Sequence, residues 1–131
     1  MTRLQAYRDI EDTFGLVPVM FKPLSDASID SQWELFKRIE FGEGPIPRKY
    51  RELIGLAVAS VARCRYCAFY HTELAKFHGA TDAEVESAVE YAMFTSAWST
   101  YINGMQMDLN VFKDEIIRAV EHMLAKKTGR Q

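Results

Sequence analysis

The chain has 131 residues, 48% of them hydrophobic and 26% charged, and a formal net charge of −2. That length suits one domain whose core needs no staple, and so small a net charge gives no reason to expect nucleic acid as a partner. No stretch approaches the ~20 apolar residues of a membrane span, and Met1 to Asp9 lack the apolar run of a secretory leader, so the expected setting is cytoplasmic, with no membrane partner.

No segment alternates with a period of two, and proline and glycine divide the chain into helical pieces. The expected class is all-α: one helical bundle of six or seven helices, undivided over residues 1–131. A first amphipathic helix is predicted from Leu4 to Phe14, with Leu4, Tyr7, Ile10 and Phe14 on one side and Gly15 as its stop. A short turn over Val19 to Leu24 follows. Ser28 or Asp30 caps a second helix carrying Trp33, Leu35, Phe36 and Ile39, which the segment Phe41 to Pro47 breaks.

Pro47 suits the start of a third helix. It opens with Arg48, Lys49, Arg51 and Glu52, then becomes apolar nearly all round from Leu53 to Ala62, which predicts burial on every side, in the core or in an oligomer seam. A cysteine-bearing helix from Cys64 to His78 ends at Gly79. Thr81 and Glu84 make a capping-box signature for the next, which carries Val85, Ala88, Val89, Tyr91 and Ala92. The aromatic and methionine-rich stretch Phe94 to Met107 reads as core or subunit interface through Trp98, Tyr101, Met105 and Met107. A terminal helix is expected to end near Leu124, with Lys126 to Gln131 frayed.

The two cysteines of the chain, Cys64 and Cys67, stand three apart, with His71 four residues further on. In a reducing compartment such a pair is more often redox-active or metal-bound than structural. At about 100° per residue all three side chains share one narrow helical face, and Cα atoms three apart lie within reach of a disulfide. The positive end of the helix dipole favours a thiolate there. Cys67, nearer to His71, is the candidate attacking thiolate and Cys64 the resolving one, with His71 taking or relaying the proton. If the third helix packs antiparallel on the cysteine helix, Glu52 returns to the level of its second turn and can orient or charge His71.

Other readings of the same residues stay open. The cysteines are also suited to life as small buried hydrophobes, and Glu52 to balancing a helix dipole as a first-turn acid. A zinc-binding module would use Cys64, Cys67 and His71 with Glu52 as fourth ligand, although ligands on one continuous helix suit tetrahedral geometry poorly. A non-catalytic helical oligomer with the cysteines as a redox lock is the third possibility. His78 and His122, near helix C-termini, are given no chemical role.

Glu52, eleven intervening residues and then Cys64-x-x-Cys67-x-x-x-His71 resemble the alkyl hydroperoxidase D-like branch of the carboxymuconolactone decarboxylase superfamily. The likeness is strongest from Pro47 to Val89, a redox core of about residues 47–90. It implies an all-helical fold assembling as a homotrimer or homohexamer, with its site between packed helices. It also implies a thiol-dependent peroxidase or disulfide oxidoreductase, in which Cys67 forms a sulfenic acid on attacking a hydroperoxide. Cys64 then closes the disulfide, with Glu52 and His71 as proton relay. No bound cofactor is implied; an external dithiol, lipoyl-bearing or thioredoxin-like, supplies the electrons. One position departs from the pattern: peroxidase members tend to carry histidine before the second cysteine, and this chain has Tyr66, a possible secondary site residue whose phenol is a poor base at neutral pH. The decarboxylase branch lacks the cysteine pair, which makes a decarboxylase-like enzyme without peroxidase activity the alternative.

Overall fold

Helix signals and helix observations agree closely in the computed structural model, which describes residues 1–129. Among the described residues there are six α-helices, one short 3-10 turn and no strand. Helix α1 (Arg3–Phe14) opens with a full capping box between Thr2 and Gln5 and stops at Gly15, whose φ of 81° is left-handed. The 3-10 turn Val19–Phe21 leads to α2 (Ile29–Glu40). Ser28 occupies the N-cap position of α2, but its hydroxyl accepts from Ser25 Oγ at 3.0 Å instead of capping the helix. Asp30, in the first turn, pairs with the amino group of Met1.

Ala6 and Ile10 of α1, Phe21 of the turn, and Ile29 and Trp33 of α2 form one buried cluster, with Phe14 and Phe36 packed against it. Most of its rings meet edge-on or tilted, as between Phe21 and Trp33 with centroids 5.4 Å apart, while Trp33 and Phe36 stack at 5.7 Å. Asp9 ties the two helices on their polar side, accepting from Trp33 Nε1 at 2.8 Å and pairing with Lys37 at 2.6 Å. Leu4, which shares a side of α1 with the buried Ile10, is exposed, as are Leu35 and Ile39 of α2.

The second packing unit is built on α3 (Arg48–Ala62), α4 (Arg65–Phe77) and α5 (Asp82–Gly104), with α3 lying against both of the others. A two-residue turn reverses the chain between α3 and α4. Arg63 takes the left-handed conformation there, and Cys64 is extended. Thr81 and Glu84 form the expected capping box for α5, and Lys49 of α3 reaches Glu84 at 3.0 Å.

The burial expected for α3 on every side does not hold within one chain. Leu56 and Ala59 are buried, whereas Ile54, Val58 and Val61 are exposed, because α4 and α5 cover only part of its circumference. Trp98, Tyr101, Met105 and Met107 are likewise exposed, so they are not core of the single chain. Helix α6 (Leu109–Lys127) buries none of its residues and continues through Lys126 and Lys127, where fraying was expected; Arg130 and Gln131 lie outside the described residues.

Candidate active site

The α3–α4 hairpin positions the site. Cys64 is the N-cap of α4, and its Sγ accepts from the backbone N–H of Cys67 at 3.1 Å, taking the place that a Ser, Thr, Asp or Asn oxygen usually fills. Cys64 and Cys67 are joined as a disulfide, with Cα atoms 5.3 Å apart. Cys67 is exposed and Cys64 half-buried, so the later cysteine is the more accessible residue.

One turn after Cys67, His71 points back toward α3. Its Nδ1 lies 2.8 Å from Oε2 of Glu52, whose side chain is 1% exposed. A carboxylate removed from water to that degree needs a hydrogen-bonding or charged partner, and the imidazole supplies it. The approach is possible because residue 55 is glycine. A Cβ there would stand 2.5 to 2.7 Å from three atoms of the His71 ring. Gly55 thus gives the imidazole its seat against the α3 backbone, at the helix-propensity cost of about 1 kcal/mol that glycine carries relative to alanine.

The sequence reading did not include Glu40, the last residue of α2. Donor atoms of Glu40, Glu52 and His71 all lie within 4.8 Å of one another, so three helices each contribute one group. Oε1 of Glu40 is buried without a hydrogen-bond partner. Arg51, beside Glu52 in sequence, donates to the carbonyls of Ile39, Gly42 and Ile46 at 3.2, 2.8 and 2.7 Å, and Arg48 donates to that of Phe41. These guanidinium groups satisfy carbonyls at the end of α2 and in the loop after it, and so hold Glu40 near α3. Two signals were available: an acid in the last turn of a helix opposes the macrodipole, and a glycine inside an apolar helix points to close packing.

Tyr70 completes the inner wall, its ring edge-on to His71 at 5.2 Å and to Phe36 at 6.2 Å. Its hydroxyl is buried without a partner. Burial, and secondarily the Glu52 charge, pushes the phenol well above its ordinary value of 10.0, so it stays a neutral O–H donor at neutral pH. Tyr66, by contrast, is 73% exposed, with Arg65 donating to its hydroxyl at 3.1 Å and lying over its ring. The phenol before the second cysteine thus faces outward.

A helical bundle carrying a disulfide-bonded Cys-x-x-Cys at a helix start, beside a glutamate–histidine pair from the hairpin, defines a class of thiol protein. The chain belongs to the carboxymuconolactone decarboxylase family, whose family model matches residues 29–107. Within that superfamily it is alkyl hydroperoxidase D-like. It is similar to the solved structure of the alkylhydroperoxidase AhpD core from Rhodospirillum rubrum, with a TM-score of 0.71, 28% identity and 80% of each chain covered. It is also 31% identical over 78 residues to "Uncharacterized protein 4 in cox locus" of Paracoccus denitrificans, covering 60% of this chain and 70% of that protein. Among the described residues no helix is long and apolar enough to cross a membrane.

Proposed function

We propose that the chain is a thiol-dependent peroxidase and disulfide oxidoreductase that cycles Cys64 and Cys67 between dithiol and disulfide. The observation that carries the reading is the disulfide itself, formed at the mouth of α4 between the exposed residue Cys67 and Cys64, whose sulfur is seated on the helix N-terminus. The reduced Cys67 thiolate attacks a peroxide oxygen. The O–O bond breaks, Cys67 becomes a sulfenic acid, and the alkoxide leaves as an alcohol with a proton relayed from the Glu52–His71 pair. The Cys64 thiolate then attacks the Cys67 sulfur, closing the disulfide and expelling hydroxide, which takes up a proton and leaves as water.

An external dithiol restores the pair by attacking the sulfur of Cys67, the more exposed of the two residues. Cys64 leaves as a thiolate whose charge is held by the Cys67 N–H and the positive end of α4. A second attack by the donor then frees Cys67 and leaves the donor as its own disulfide. A lipoyl-bearing or thioredoxin-like protein is the reductant this chemistry suits, and no resident cofactor is required. A homotrimer or homohexamer is supported by the apolar side chains left uncovered on α3, α5 and α6, among them Val58, Trp98 and Ile117.

Hydroperoxide consumption, measured with a lipoyl donor and with a small dithiol, tests the reading. Wild-type protein is expected to turn over, Cys67→Ser to be inactive, and Cys64→Ser to accumulate a sulfenic acid that a chemical trap labels. Wild-type protein that consumes neither peroxide nor a disulfide substrate, or a Cys67→Ser variant that keeps the activity, would refute it.

A further inference from the structure

The geometry points to a divalent transition-metal site made by Glu40, Glu52 and His71, separate from the cysteines and available while they are joined as a disulfide. The donors come from α2, α3 and α4, and their nearest atoms lie within 4.8 Å. Two carboxyl groups and an imidazole are a donor set that first-row divalent ions accept, and three protein ligands leave coordination positions for water.

The internal interactions satisfy this cluster only in part. The imidazole answers one carboxyl, through the 2.8 Å contact with Glu52, while among the described residues Oε1 of Glu40 is buried without a hydrogen-bond partner and no basic side chain bonds it. An unpaired buried carboxyl oxygen is costly, and a cation answers it directly. Tetrahedral ligation at about 2.0–2.1 Å sets donors about 3.3 Å apart, so the 2.8 Å contact of Nδ1 and Oε2 opens by about 0.5 Å and Glu40 closes by at most about 1.5 Å.

This donor set differs from a zinc site built on Cys64, Cys67, His71 and Glu52. Disulfide-bonded sulfurs are not thiolate ligands, and both cysteines are in that state here. Resting on the function proposed above, one consequence follows: an ion held by Glu52 and His71 removes them from proton transfer, so the metal inhibits the thiol cycle.

The test is calorimetric titration of the full chain, in its disulfide form, with zinc chloride. One ion per chain is expected. Glu40→Gln and His71→Gln should each weaken binding by about tenfold or more, since even groups behind the ligands commonly account for that much. Ring-nitrogen resonances of His71 in wild-type protein should shift on zinc addition, a readout independent of either variant's folding and of peroxide turnover. No binding up to about 1 mM zinc, a millimolar Kd being the lower edge of measurable affinity, would overturn the proposal. So would binding unchanged in both variants, or binding that requires prior reduction of the disulfide.

Discussion

Gly55→Ala separates the tertiary account of the site from helix propensity, because the two predict opposite signs. Propensity alone makes alanine more stable by about 1 kcal/mol inside a helix. In the fold, the added methyl would stand 2.6 Å from Nδ1 and 2.7 Å from Nε2 of His71, where ordinary contact begins at 3.4 Å. The ring must therefore withdraw by about 0.8 Å, taking its 2.8 Å contact with Glu52 to roughly 3.6 Å, beyond a hydrogen bond. Breaking a buried pair by displacing one partner costs about 3–5 kcal/mol, so after the propensity gain the net loss is about 2–4 kcal/mol. For a chain of this size that lowers Tm by roughly 6–15 °C. Urea and thermal unfolding at one fixed protein concentration, with the His71 ring-nitrogen spectrum recorded alongside, give the measurement. A variant as stable as wild type or more so, with the His71 signals unmoved, would refute the reasoning.

Two further outcomes follow from the hairpin and from the N-terminal unit. Arg63, at φ 58° and ψ 40°, holds a conformation that a non-glycine residue adopts at about 1 kcal/mol or more, so Arg63→Gly should raise the urea midpoint by the equivalent of about 0.5–1 kcal/mol. A fall would mean that the arginine side chain itself secures the turn. At Asp9, hydrogen bonds from Lys37 first and Trp33 second hold the carboxyl below its ordinary value of 3.8. A depressed folded value means the stabilisation is present above the ordinary value and lost as pH falls through the folded one. Asp9→Asn should therefore be less stable than wild type by about 0.5–1 kcal/mol near neutral pH, with the gap closing in acid below the ordinary carboxylate range. Denaturant curves from about pH 7 to about pH 2 check this; a gap that persists unchanged to the lowest pH would show that the carboxylate charge is not its source.

Helix positions were legible because their causes are local. Thr81 and Glu84 cap whatever helix follows them, Gly15 and Gly79 end helices at positive φ, and the proline-rich segment after Phe41 breaks one wherever it lies. Burial was less legible, since the same apolar pattern serves core and unpaired surface alike: α3 shows this in Leu56 turned inward and Val58 turned out. Glu40 gave no spacing to read, because it belongs to a different helix and reaches Glu52 only through the loop carbonyls that Arg51 gathers.

By itself, then, the sequence determined the all-α class, a count of six or seven helices and the proximity of Cys64, Cys67 and His71, all fixed within a few turns of one helix by backbone periodicity. Only the tertiary structure decided that Glu52 is buried against His71, that Gly55 makes the space for it, that Glu40 joins them from α2, and that Tyr66 faces away. The physical reason is that these contacts depend on how separate helices dock. Docking is set by the sum of side-chain shapes and by loop geometry, which no local spacing records.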